Sequence, residues 1–261
     1  MKRFLLAGLP APLLRQLKKF HYVRALKTFD EPDMAVVKHL VRRGDCVIDI
    51  GANVGWYTKV LSELVGESGL VQSIEPIPPT FELLSYCVGK LRLGNVRLLS
   101  CAVSSDNGTA CMEVPYYETG GENYYQAKLI AHRNESSLRQ FRVPTRSLDS
   151  IAADAPSTVA FVKCDVEGHE LSVIKGAARL LEDAKPSWLI EISQDPDAPS
   201  SESHALICGM EQQGYGVYWF DGQELKTRQH RDHSVNYFFL TKKHVESLMA
   251  VGGMVGASSL P

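Results

Sequence analysis

No stretch of this sequence approaches the roughly 20 consecutive apolar residues that cross a bilayer as a helix. The apolar segment that follows Met1-Lys2-Arg3 runs only from Phe4 to Leu9 before Pro10 interrupts it. That is shorter than the core of an ordinary secretory leader. The six cysteines, Cys46, Cys87, Cys101, Cys111, Cys164 and Cys208, include no C-x-x-C pair. Several fall in apolar, strand-like runs, where a free thiol acts as a small core residue. Their spacing argues against structural zinc and predicts a reducing, cytoplasmic setting. An excess of either charge is also missing, since 28 Lys and Arg face 30 Asp and Glu for a net charge of −2. A dedicated nucleic-acid binder is usually basic, so no nucleic-acid partner is expected. There is no internal repeat, which excludes a solenoid.

What is present is an ordinary globular composition, 44% apolar and 22% charged over 261 residues. It suits one large α/β domain. Residues 1–32 form a basic, helical lead-in, with Lys2, Arg3, Arg15, Lys18, Lys19, Arg24 and Lys27 preceding the first acid, Asp30. Such a face is either solvated or makes peripheral contact with an anionic lipid or acidic substrate. A regular alternation then predicts a helix from Asp33 to Val41, a buried strand at Cys46–Ile50 and a helix at Val54–Val65. It continues with a strand at Leu70–Ile74, a helix at Pro79–Leu93 and a strand at Val96–Leu99. The rhythm returns with a strand at Thr158–Cys164, a helix at Leu171–Leu181 and a strand at Ser187–Glu191. A helix near Ser203–Gln213 and strands at Val217–Phe220 and Val235–Leu240 complete it. This order predicts a doubly wound, mostly parallel sheet over residues 33–245, with its ligand edge at the strand C-termini. Residues 104–146 interrupt it and read as a hairpin plus a polar lid. Tyr116, Tyr117, Tyr124 and Tyr125 there either stack on a sugar ring or stabilise the loop. Residues 246–261 read as a flexible tail.

The most informative stretch is Asp49-Ile50-Gly51-Ala52-Asn53-Val54-Gly55, which leaves a buried strand and opens a helix. Glycines there permit a tight turn and close approach of a ligand to the backbone, and the helix N-terminus attracts an anionic group. The dinucleotide motif G-x-G-x-x-G would need glycine at Asn53 and Trp56, and no Gly-Lys-Ser/Thr follows to make a P-loop. Glu75 ends the next strand, 20 residues after Gly55. An acid at that place can accept both hydroxyl protons of a ribose. Loop, helix and acid together describe a site for a nucleoside that carries an amino-acid tail or a phosphate.

Asp49-x-Gly51-Ala52-Asn53-x-Gly55-x-Tyr57-Thr58 and Ile74-Glu75-Pro76 resemble the FkbM-type S-adenosylmethionine-dependent methyltransferases. Further matches are Ser147-Leu148-Asp149, Lys163-Cys164-Asp165-Val166-Glu167-Gly168-His169-Glu170, Lys175-Gly176 and Lys185-Pro186 with Glu191. The resemblance implies a Rossmann-like class I methyltransferase fold, with a seven-stranded sheet whose last strand is antiparallel. It implies S-adenosyl-L-methionine as cofactor and O-methylation of a hydroxyl on a sugar, glycolipid or natural product. Carried onto this chain, Gly51, Asn53 and Gly55 hold the methionine end, Asp49 orients the loop and Thr58 bonds the carboxylate. Glu75 grips the ribose and Ala102 lies near the adenine.

An aliphatic hydroxyl is a poor nucleophile, so a general base or a metal is useful. Asp165, where the fourth strand leaves the sheet, is expected to face the cofactor and to accept or relay the proton, with His169 the alternative base and Glu167 a further catalytic candidate. Glu170 can equally serve the start of the next helix. Asp165 and Glu191 end neighbouring strands, so a divalent metal held by that pair is an open alternative. Ile192, where the metal-dependent enzymes carry asparagine, counts against it. A non-catalytic cofactor-binding or interaction module of the same fold is the competing reading.

Overall fold

A computed structural model describes residues 11–117, 122–130, 138–232 and 234–250. Helix α1 (Ala11–Leu26) leads into α2 (Met34–Leu40), β1 (Cys46–Ile50), α3 (Trp56–Val65), β2 (Leu70–Ile74), α4 (Pro78–Leu91) and β3 (Val96–Leu99). After an intervening segment come α5 (Leu148–Ala152), β8 (Val159–Cys164), α6 (Glu170–Lys175), β9 (Ser187–Glu191) and α7 (Glu202–Gln212). The chain continues through β10 (Gly216–Phe220), β11 (Leu225–Thr227), β12 (Asn236–Leu240) and α8 (Lys242–Ala250). The intervening segment carries β4 (Ala102–Ser104), β5 (Gly108–Val114), β6 (Lys128–Ile130) and β7 (Arg139–Ser147).

Alternation along the central strands assigns each side chain to a face. Val47, Phe161, Leu189 and Phe238 meet Val37, Leu61, Val65 and Leu248 on the α2, α3 and α8 side. Ile48, Val162, Ile190 and Phe239 meet Val173, Leu206 and Met210 on the α6 and α7 side. With helices on both faces, β1, β8 and β9 are buried through and through, which is why they read as continuous apolar runs.

The large sheet runs β11-β10-β12-β9-β8-β1-β2-β3. The five strands from β9 to β3 are parallel, and β12 is antiparallel to its neighbours β9 and β10. The expected seven strands are therefore eight. The addition is β11, which pairs antiparallel with β10 at the edge. Asp221 makes that hairpin by accepting from the Gln223 and Glu224 amides, and Gly222 supplies the positive φ of 96°.

Other expectations shift for identifiable reasons. Helix α3 begins at Trp56 rather than Val54, because Gly55 adopts a left-handed φ of 103°. The helix expected over 171–181 is two pieces. α6 stops at Lys175, and a π-turn, Leu180–Ala184, follows. Gly176 lies at the break, where an added Cβ would come within 2.2 Å of the Ser104 carbonyl oxygen. Of the tail expected over 246–261, residues 246–250 belong to α8. Residues 251–261 and the first ten residues lie outside the described set.

Residues 104–146 do not form a mere loop. They contribute most of a second sheet, ordered β4-β7-β5-β6. Met112, Val114, Ala127 and Val143 pack with Ile77 and Ala102 in a small core of their own. Parts of the expected lid, 118–121 and 131–137, lie outside the described residues.

Candidate functional site

The strand order reverses between β1 and β8. Open α/β sheets place their ligand crevices at such a point, beyond the strand C-termini. A cleft of about 660 Å³ lies there. Gly51 and Asn53 line it from the β1 loop, Glu75 and Ile77 follow β2, and Ala102 follows β3. Asp165, Glu167 and His169 come from the β8 exit, while Met112, Tyr125 and Leu129 come from the second sheet. Tyr125 was among the tyrosines that the sequence singled out, whereas Met112 and Leu129 were not identifiable, because nothing in their spacing shows which side chains of the insertion meet the strand ends.

The β1 loop is held from behind. Asp49 is buried, and Thr58 Oγ1 donates to its Oδ2 at 2.6 Å. Thr58 also bonds Ser73 Oγ at 2.8 Å. Thr58 is thus fully buried and committed within the protein, so the expectation that it bonds a ligand carboxylate is corrected. It anchors Asp49, whose burial pushes its carboxyl up to about 6 despite that bond. Asn53 takes a left-handed φ of 51° and turns the chain back toward β2. Its amide donates to Glu75 Oε2 at 3.0 Å, and the Ile77 amide donates to Oε1 at 2.8 Å. Glu75 therefore joins two loops as well as lining the cleft. Burial raises its carboxyl to about 7.

The β8 exit is fastened to the β1 loop through the backbone. The Asp165 amide donates to the Ile50 carbonyl at 3.1 Å. Beyond it, Glu167 and Gly168 take consecutive positive φ values of 54° and 93°. This sharp turn holds Glu167 at the cleft. Glu170 Oε1 accepts from the Gly168 amide at 2.9 Å, so Glu170 secures the turn at the start of α6. His169 Nε2 lies 3.0 Å from Ser104 Oγ, and burial lowers its pKa.

Asp165, Glu167 and Glu191 converge, each with an oxygen within 4.8 Å of the others. Burial and then Asp165 raise the carboxyls of Glu167 and Glu191 to about 7. An all-oxygen trio has the chemistry of a hard-cation site, and three crowded carboxylates equally hold a proton near neutrality. Lys163, one residue before Cys164 at the end of β8, is 2% exposed on the opposite face. Its Nζ finds no hydrogen-bond acceptor among the described residues and sits 5.1 Å above the Tyr57 ring. Its charge draws the Asp49 and Glu191 carboxyls down, against their burial.

A second hollow of about 1110 Å³ adjoins the cleft and shares Leu129, Glu167 and His169 with it. Gln126, Lys128, Ser193 and Gln194 give it a polar lining. Of the four tyrosines of the insertion, Tyr124 and Tyr125 face the cleft. Tyr124 bonds Glu122, and Tyr125 Oη lies 2.9 Å from Tyr22 Oη. Tyr116 is exposed.

The residues present suit a nucleoside with an amino-acid tail. Ile77, Ala102 and Met112 form an apolar surface that suits a base, and Glu75 offers a carboxylate that suits a hydroxylated ring.

Among curated relatives, a protein-L-isoaspartate O-methyltransferase of Methanococcus maripaludis is 39% identical over 56 residues, 22% of this chain and 26% of that enzyme. The chain thus aligns with only about a quarter of the length of the curated relatives it matches. A crystal structure of methyltransferase FkbM from Methylobacillus flagellatus superposes with a TM-score of 0.47 at 16% identity, over 88% of this chain and 60% of that one. Fibrillarin from Aeropyrum pernix, solved with natively bound S-adenosyl-L-methionine, gives 0.46 at 13% identity, over 77% of this chain and 67% of that one. The model of the FkbM methyltransferase domain matches residues 49–217, from the glycine loop to β10. The sheet is the Rossmann-like class I methyltransferase sheet with β11 added at its edge. The chain belongs to the FkbM methyltransferase family.

Proposed function

We propose that this protein transfers a methyl group from S-adenosyl-L-methionine to a hydroxyl oxygen of a polar acceptor, a sugar, glycolipid headgroup or hydroxylated natural product. The observation that carries the reading is the junction of the two hollows. Glu167 and His169 border both, so a group in the polar hollow meets a group in the cleft beside titratable side chains.

The cofactor, when bound, supplies an electrophilic sulfonium methyl. Gly51 and Asn53 would hold its amino-acid end, Glu75 would accept from its ribose and Ala102 would contact its adenine. Gly55 and Asp49 act by shaping and bracing the loop. The polar hollow orients the acceptor hydroxyl through Gln126, Lys128 and Ser193. Glu167 takes the proton that the acceptor hydroxyl gives up. A carboxyl that titrates near 7 is well matched to that task. Burial, and then the neighbouring Asp165, keep the pKa of Glu167 high. His169, neutral at pH 7 because its pKa is lowered, orients the acceptor with Ser104.

Calorimetric titration tests the cofactor reading. Glu75→Gln should weaken S-adenosyl-L-methionine by roughly 10- to 100-fold, because an amide cannot accept from two ribose hydroxyls while holding two backbone amides. Unchanged affinity removes the ribose assignment. Incubation with labelled cofactor and a library of polyhydroxylated acceptors tests the reaction. Glu167→Gln should lower turnover by roughly 10²–10⁴-fold, the span of a lost general base, with little change in cofactor affinity. The rising limb of the pH profile near 7 should vanish with it. Activity lost to a chelator and restored by magnesium would instead assign the Asp165, Glu167 and Glu191 oxygens to a cation. Cofactor binding without product from any acceptor would favour a non-catalytic module.

A further inference from the structure

Helix α1 presents a face that the described residues leave uncovered. Leu13, Leu17 and Phe20 follow one another at i, i+4 and i+7 and are 46%, 42% and 68% exposed. This spacing lines them along one side of a helix. Arg24 and Lys27 extend the same stripe and His21 borders it, all exposed, while exposed Lys18 and Arg15 lie further round the helix, within electrostatic reach of Glu122 and Glu82. Seven Lys and Arg and no acid occur before Asp30. The opposite side is well fastened. Leu26 is buried, Lys19 pairs with Glu82 of α4 at 2.9 Å and Phe29 packs on Trp56. Tyr22 bonds Tyr125, a residue of the cleft wall.

We propose that α1 docks this protein onto an anionic lipid bilayer and that it sets the rim of the cleft at the membrane surface. Three exposed apolar side chains on one line enter the acyl boundary, and the bases around them meet the headgroups. The absence of any acid in this segment favours a negative partner over a second copy of the same basic helix, which would repel it. The Tyr22–Tyr125 bond ties the docking helix to the wall of the cleft, so an acceptor carried by a lipid would reach the site without leaving the bilayer. The docking does not rest on the methyl-transfer reading, and the two fail separately.

Flotation of the full chain with vesicles tests it. Vesicles of phosphatidylglycerol and phosphatidylcholine should carry the protein upward at low salt. Vesicles of phosphatidylcholine alone should leave most of it behind. Raising the salt should release it, as screening shortens the reach of the charges. The variant K18E/R24E/K27E should bind at least about 100-fold more weakly, at roughly fivefold per charge. The variant L13S/L17S/F20S should lose about tenfold or more through the apolar contribution. K18R/R24K/K27R should bind like the parent. Circular dichroism and calorimetric cofactor titration should show both weakened variants folded, because none of these side chains borders the cleft. Equal partition onto both vesicle types overturns the proposal. So does undiminished binding by either weakened variant. A lipid-free dimer that L13S/L17S/F20S converts to monomer would also overturn it, giving the face to a second copy.

Discussion

Gly51 shows how tightly single positions constrain this site. Its φ is 76°, and a Cβ there would fall 1.8 Å from the Asp165 carbonyl oxygen. Backbone cannot yield as a flexible side chain can, so glycine holds the β1 loop against the β8 exit. Gly51→Ala should destabilise the protein by about 3 kcal/mol, combining left-handed strain with overpacking. Urea unfolding measures it, and a change below about 1 kcal/mol would mean that the two loops separate easily. Thr58 is the opposite case. Its place in the motif suggested contact with a ligand, and burial shows it bracing Asp49. The motif marks the neighbourhood correctly but does not tell a residue that touches a ligand from one that supports it, since both sit within a few residues of the same turn.

Among elements, the strands β1, β2, β8 and β9 were legible because apolar, β-branched runs bounded by turns leave few alternatives. The second sheet was not legible. Its strands β4 and β6 are three residues each, and β5 pairs along its length with β7, about 30 residues on. No local periodicity encodes such a partner. This sheet forms a fixed wall of the cleft, and its small core has little to spare. Val114 is fully buried, and Val114→Ala should cost roughly 1–3 kcal/mol. Cofactor alone should slow hydrogen exchange in β5 and in 122–130, because Met112, Tyr125 and Leu129 border the cofactor cleft. Slowing only when an acceptor is also present would instead describe a closing lid.

At the scale of the whole molecule, the ligand edge concentrates buried acids. Glu75, Glu167 and Glu191 titrate near 7 and Asp49 near 6, all above their unfolded values. The folded protein therefore binds more protons than the unfolded chain between about pH 4.5 and 7. Through that window these groups make stability fall as pH rises. Half-buried His244, lowered to about 4, and His169, also lowered, act in the opposite sense below about 6.5. The acids outnumber them, so Tm should be lower at pH 8 than at pH 5.5. Glu167→Gln removes one of them. It should raise Tm at pH 8 relative to the parent, and the difference should close by about pH 5. A variant less stable than the parent at pH 8 would show that the Glu167 carboxylate is held by favourable contacts rather than crowded by its neighbours. The expected gain accompanies an expected loss of turnover, as when a functional site is held at the expense of stability.

The sequence alone determined the parallel strands, the helices between them, the glycine loop, the acid that follows β2 and the family. Each is written in local periodicity or in short, closely spaced motifs. The convergence of Asp165 and Glu191 was also within reach, because neighbouring parallel strands end side by side. Tertiary structure alone decided the rest. It placed the second sheet as a wall, turned Thr58 inward, joined two hollows at Glu167 and set Tyr22 of α1 against Tyr125. These depend on pairings between distant residues and on which side of a buried loop a side chain occupies. Neither leaves a period or a spacing in the chain, because what selects them is the packing of the folded molecule.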